Sequence, residues 1–206
     1  MITLFIDTSS SDVSIALIRD EKILSSITRC IPNKHSIYTV SFIDEVLKNT
    51  SLEPTDINSI TVVTGPGSFT GVRIGVTIAK TFAYLNNIDI TCVSSLKMFA
   101  LSTSHDYVLS LIDAKHDNYY LGLYDKDNNE VIEEQFNNKE YVLDLINKYN
   151  PRVVSNEDIV IDDIKVKRQE LDFVSICKFY KDKEKRNPHF VVPNYLKLPQ
   201  ALEEKK

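Results

Sequence analysis

The chain has 206 residues, 43% hydrophobic and 26% charged, and its 24 Lys and Arg against 29 Asp and Glu leave a net charge of −5. That is enough apolar material for one large domain or two small ones. The acidic balance argues against unaided gripping of nucleic acid, which depends on clustered Lys and Arg. No apolar run approaches the ~18–20 residues of a membrane span, and Met1 to Asp7 lacks the basic flank and cleavage site of a secretory leader. Cys30, Cys92 and Cys177 are an odd number with no C-x-x-C pairing, so reduced thiols in a cytoplasmic protein are expected.

Residues 2–7 form a short apolar run ending at Asp7, and at 13–18 Val13, Ile15 and Leu17 alternate with Ser14, Ala16 and Ile18. After the polar turn 19–21 a third strand-like run covers 22–31, which completes a three-strand meander. A helix is predicted over 35–49, a buried strand over 60–64, a second helix over 69–85, a strand over 90–94 and a helix from Ser95. From Tyr107 the same order returns: an apolar run ending at Asp113, strands over 119–124 and 131–136, a helix over 140–149 and a strand over 152–155. A last helix is predicted over 169–181, ahead of an extended segment with Pro188, Pro193 and Pro199. Asp7 and Asp113 thus leave the first strand of two β-β-β-α-β-α units. This is the plan of the two-lobed α/β fold of actin, Hsp70 and the sugar kinases. The expected lobes are 1–103, carrying partner-docking helices, and 104–199, whose last helix packs back on the first lobe. Residues 200–206 are expected to form a flexible tail.

Four of the five glycines fall within Gly65-Pro66-Gly67-Ser68-Phe69-Thr70-Gly71-Val72-Arg73-Ile74-Gly75. Glycine is used where a chain takes positive φ or another surface approaches its backbone, and it weakens a helix that contains it. The window matches neither a Walker loop nor G-x-G-x-x-G. Capped by Ser68 or Thr70, the following helix still offers free amides, so Gly65, Gly67 and Ser68 are candidate anion or nucleotide contacts together with Asp7 and Asp113. In enzymes of this architecture the two carboxylates help hold a metal nucleotide while glycine turns wrap its phosphates. Here no glycine follows Gly122, and strand-end capping is the favoured reading of both aspartates. His35, His105, His116 and His189 are scattered, and no metal site is expected.

The helix predicted over 69–85 repeats Gly71, Gly75, Ala79 and Ala83 at four-residue spacing, a ladder that admits a close neighbour. Arg73, Thr77, Lys80 and Tyr84 form a narrow polar strip opposite, while Val72, Val76 and most other positions are apolar. In the preceding helix Tyr38, Val40, Phe42, Ile43, Val46 and Leu47 span an arc of about 200°, twice the width one core face requires. A partner interface is therefore expected at Tyr38, Val40, Phe42, Val46, Gly71, Val72, Gly75, Val76, Ala79 and Ala83. Cover by the second lobe is the alternative. The basic residues at 165–168 and 178–186 are read chiefly as solvated faces, because Asp182 and Glu184 interleave with the second run.

Ile6-Asp7-Thr8-Ser9, His35-Ser36 and the long glycine motif together resemble the TsaB (YeaZ) family. The likeness extends through Val93-Ser94-Ser95-Leu96 to Ile112-Asp113-Ala114 and returns at Pro193-Asn194-Tyr195-Leu196-Lys197. It departs where the family's D-A-R-x-G/K-E-V-Y is here Asp113-Ala114-Lys115-His116-Asp117-Asn118-Tyr119-Tyr120, and residues 137–185 match only in outline. The resemblance implies a cytosolic bacterial subunit for making threonylcarbamoyladenosine (t6A) in tRNA. It implies a heterodimer with the larger paralogue TsaD, which transfers the group using a metal on an H-x-x-x-H helix, and cooperation with the ATPase TsaE. Thr39 stands four residues after His35, so this chain lacks that motif, in keeping with a non-catalytic subunit without its own metal. A homodimer in the absence of TsaD, tRNA contact only through the complex, and at most a weak or interfacial nucleotide are implied as well. The competing reading is an enzyme of the same fold, an ATPase, a kinase-like phosphotransferase or a glycoprotease-like hydrolase.

Overall fold

A computed structural model describes residues 1–196; Pro199 and the tail expected at 200–206 lie outside the described residues. Strands β1 (Ile2–Asp7), β2 (Asp12–Arg19) and β3 (Lys22–Cys30) form the antiparallel meander. β1 then pairs in parallel with β4 (Ser59–Gly65), which pairs in parallel with β5 (Ile90–Ser94). The connections are helices α1 (His35–Thr50) and α2 (Phe69–Asn86). α2 starts where the Ser68 hydroxyl accepts the Gly71 N–H at 3.1 Å, and ends at Asn87 in the left-handed region, φ 53°.

The short helix α3 (Ser95–Ala100) leads into a second sheet. There β6 (Tyr107–Asp113), β7 (Asn118–Asp125) and β8 (Glu130–Asn138) form another antiparallel meander, and after α4 (Lys139–Tyr149) strand β9 (Arg152–Ser155) pairs in parallel with β6. The strand order β8-β7-β6-β9 repeats the β3-β2-β1-β4 of the first sheet. The repetition of element order is thus a repetition of wiring, and the chain has the two-lobed fold expected from it.

The second unit is abbreviated. Where the first lobe continues into α2 and β5, the second forms a hairpin, β10 (Ile159–Ile161) and β11 (Ile164–Val166). The helix predicted over 169–181 is shorter, α5 (Phe173–Tyr180), capped by Asp172. It packs on β1, β2 and β3 of the first sheet, where the Phe173 and Phe5 rings meet edge-on at 5.2 Å. In return α3, all six residues buried, packs on β6, β7 and β9. A two-residue strand, β12 (Lys185–Arg186), closes the β5 edge.

Three apolar layers result. α1 and α2 cover one face of the first sheet, α4 and the β10–β11 hairpin cover the outer face of the second, and a middle layer between the sheets includes Phe5, Leu96, Tyr124 and Ile176. Strands β1, β2 and β4 of the first sheet are therefore buried on both faces, while the edge strand β3 is largely exposed. In β2, Val13, Ile15 and Leu17 face the helices while Ala16 and Ile18 enter the middle layer, so an alternating strand is buried on both sides.

Candidate functional site

The glycine window folds as a seat for the first turn of the chain. Gly65 has φ +105° and precedes a cis peptide to Pro66, a conformation that L side chains rarely adopt. A side chain on Gly65 would meet the Asn194 carbonyl, one on Gly67 the Ser9 carbonyl, and one on Gly71 the Thr8 carbonyl. Gly75 faces the Thr8 hydroxyl in the same way. Hydrogen bonds lock this approach: Ser68 N–H donates to the Ser9 carbonyl at 2.7 Å, and the Thr8 hydroxyl donates to the Gly71 carbonyl at 2.7 Å. The space that the glycines leave is filled by residues 8–9 and 194, and Ser68 spends its hydroxyl on the helix cap.

Asp7 and Asp113 occupy matching strand ends, paired with Ser14 and Tyr119 respectively. Asp7 is buried and accepts the Ser9 N–H at 2.8 Å. Burial pushes its carboxyl above the ordinary value despite the lowering effect of Ser9. Asp113 is half-buried. That burial favours its neutral form, but the Lys115 ammonium at 2.7 Å and the Lys115 N–H at 2.8 Å outweigh it and hold the carboxyl below the usual range. One carboxylate is thus disfavoured as an anion, and the other already carries a cation of this chain. With the glycine faces also filled, these residues do not fit a metal nucleotide held in the manner of the fold. Arg168, in the late basic cluster, pairs with the buried Asp12 of the first lobe, and Lys167 pairs with Asp158 at 2.7 Å.

His35 is buried at the start of α1, its Nε2 2.8 Å from the Ser10 carbonyl. Thr39 returns its hydroxyl to the His35 carbonyl at 2.6 Å. The position that would carry a second metal-binding histidine is closed by a backbone hydrogen bond, and the described residues hold no group of three His, Cys, Asp or Glu able to take a metal.

The small-residue ladder faces inward, which corrects most of the interface expected from the sequence. Gly71, Val72, Gly75, Val76, Ala79 and Ala83 are buried against the first sheet and the turn at Thr8, and Phe42 and Val46 lie in the same core. The ladder's close neighbours are the turn after β1, at Gly71 and Gly75, and the sheet strands beneath α2, chiefly β4, within the same lobe. Tyr38 and Val40 alone of the ten are exposed.

A different apolar surface remains between the two helices. Ile37, Val40 and Leu85 are 65%, 58% and 75% exposed. Two adjoining grooves of ≈420 Å³ each share Val40, Thr77 and Ile78. One runs past Leu47, Phe82 and Leu85, the other past Ser36, Phe69 and Arg73. Among the described residues, Tyr195 touches this surface at the Phe69 and Arg73 rim, while Val40 and Leu85 stay exposed. Sequence projection identified the helix faces as surplus but not their direction, because a stripe of small residues packs equally well inward.

The polar strip on α2 receives residues 189–195. Lys80 donates to the Val191 carbonyl at 2.9 Å, Arg73 Nε donates to the Tyr195 hydroxyl at 2.7 Å, and the Tyr84 and His189 rings meet at 5.4 Å. Arg73 also lies 3.7 Å from the Phe69 ring, so its guanidinium stands at the groove rim held by Phe69 and Tyr195.

The family model for TsaD, tRNA N6-adenosine threonylcarbamoyltransferase, matches residues 27–180. The tRNA threonylcarbamoyladenosine biosynthesis protein TsaB of Bacillus subtilis (strain 168) is 32% identical over 226 residues, covering 98% of this chain and 96% of that protein. Its Escherichia coli (strain K12) namesake is 33% identical over 130 residues, 61% of this chain and 56% of that one. Among solved structures, YeaZ from Pseudomonas aeruginosa superposes with a TM-score of 0.80 at 22% identity over 95% of this chain and 99% of its own, which establishes the common fold. With near full-length similarity to the Bacillus protein and the same two-lobed frame, the chain belongs to the TsaB (YeaZ) family of tRNA threonylcarbamoyladenosine biosynthesis proteins.

Proposed function

We propose that this chain is a non-catalytic scaffold subunit of t6A synthesis that binds and stabilises the TsaD transferase through the surface between α1 and α2. The observation that carries this reading is the open apolar groove at Val40, Ile78 and Leu85, in a chain whose fold-typical ligand positions are taken up by its own residues, Thr8 and Ser9 in the first lobe and Lys115 in the second. A contiguous apolar groove of this kind is the usual mark of a protein interface. The match of residues 27–180 to the transferase model supports a partner built on the same plan, which would present two equivalent helices. Two copies of this chain would meet through the same surface when TsaD is absent. TsaE and tRNA join through the complex, in a cytoplasmic assembly.

The test is co-expression with TsaD. Val40→Glu puts a charge into the centre of the groove at an exposed position, where the fold itself is expected to change by no more than about 0.5 kcal/mol. The variant should keep its melting temperature, lose co-purification with TsaD, and fail to support threonylcarbamoyl transfer. Retained co-purification refutes this docking surface. Tight binding of magnesium ATP to the isolated chain, abolished by Asp7→Asn, overturns the non-catalytic reading.

A further inference from the structure

A polar cleft of ≈560 Å³ lies between α3, the β7–β8 hairpin and the chain that follows α5. It shares no lining residue with the docking groove or the glycine window. Opposite charges face it from different elements: Lys97 from α3 and Lys183 from beyond α5, against Asp127, Glu130 and Glu134 from the hairpin. Among the described residues none of the five forms an ion pair. Charges of both signs that surround one space without closing on each other are complementary to a ligand that carries both.

Lys97 is the most constrained of them. It is only 6% exposed, its ammonium donates to the Asn128 carbonyl, and it lies 4.1 Å from the Tyr124 ring centre and 5.1 Å from that of Phe179. Its ammonium has one carbonyl and two ring faces as neighbours but no carboxylate paired with it among the described residues. Glu134 accepts the Tyr124 hydroxyl at 2.7 Å. Burial pushes Lys97 down to about 8 and Glu134 above its ordinary value, so each group gains from an incoming opposite charge. A lone anion entering here would face three carboxylates, and a lone cation two ammonium groups. The cleft is of the size that takes small molecules, with Phe179 and Tyr180 as its apolar wall.

We propose that this cleft binds a small zwitterion of the amino-acid class, its carboxylate on Lys97 and Lys183 and its ammonium on Glu134 and Glu130. The site is independent of TsaD docking, and the Val40→Glu variant should bind the same ligand.

Calorimetry on the full chain tests this with L-threonine, L-leucine and L-glutamate, each set against its N-acetyl derivative and its methyl ester, which remove one charge apiece. Saturable binding of at least one free amino acid is expected, weakened about tenfold or more by either cap and by Lys97→Met, in line with the loss of one charged contact. Lys183→Met, at an exposed position, should weaken it likewise and serves where Lys97→Met fails to fold. Absence of saturable binding by all three amino acids, equal binding of the capped forms, or unchanged affinity in both lysine variants each overturns the proposal.

Discussion

Replacing Gly71 by alanine separates an architectural glycine window from a ligand-binding one. In an ordinary helix the change would stabilise by about 1 kcal/mol, because alanine has the better helix propensity. Here the new methyl group points at the Thr8 backbone carbonyl and abuts the Ser68 side chain. Thr8 cannot yield by a rotamer change, since the obstacle is main chain, and moving the turn also breaks the 2.7 Å bond from its hydroxyl to the Gly71 carbonyl. Overpacking costs about 1–3 kcal/mol and the lost hydrogen bond about 1 kcal/mol. After the propensity gain, a net loss of about 2 kcal/mol remains. For a chain of this length that lowers the melting temperature by about 4–8 °C. Thermal unfolding followed by circular dichroism measures it. Gly75→Ala provides the internal control, because its obstacle is the Thr8 side-chain hydroxyl. Thr8→Ala should therefore relieve Gly75→Ala and leave Gly71→Ala unrelieved. A Gly71→Ala variant as stable as the parent, or relief of both variants by Thr8→Ala, would refute the close packing of the first turn on α2.

Three further outcomes follow from the geometry. Asp7→Asn keeps an acceptor for the Ser9 N–H and removes a charge that burial disfavours; it should raise the unfolding free energy at pH 7, with the advantage shrinking as acid protonates the Asp7 carboxyl of the parent. Lys97 binds its proton less tightly in the native chain, about 8, than the ordinary 10.5, so the unfolded chain holds more protons across that window and stability rises with pH through it. The full shift is about 3 kcal/mol, cut to about 1–2 kcal/mol by solvent in the cleft, and urea titrations of parent and Lys97→Met between pH 7 and 10.5 should show the parent gaining by that amount. Tyr195→Ala removes the Arg73 hydrogen bond and one of its ring contacts, and increased proteolysis near the end of the described chain with little change in the melting temperature is expected; complete protection would show that Lys80 and Val191 hold this segment unaided.

Much of the fold was legible in the residue pattern. Apolar runs ending at Asp7 and Asp113, each followed by two more strands and a helix, are local signals, and local signals suffice for a meander whose neighbours in sequence are neighbours in the sheet. The β10–β11 hairpin was missed although its signal is present. Ile159-Val160-Ile161 and Ile164-Lys165-Val166 flank a two-residue Asp162-Asp163 turn with Asp162 at φ 50°, but the strands are only three residues long and the second runs into the basic cluster of Lys165, Lys167 and Arg168, which masks the alternation.

The glycine window and the surplus apolar arcs were likewise visible as composition and periodicity, because both are properties of a single segment. Direction was not. Whether Gly71 and Gly75 face a neighbouring molecule or their own lobe depends on where the turn at Thr8 comes to rest, and that contact joins positions about sixty residues apart. The same holds for Arg73 under Tyr195 and Lys97 among the hairpin carboxylates. One side chain offers the same chemistry inward or outward, and only the folded neighbours, through burial and hydrogen-bond geometry, select between them.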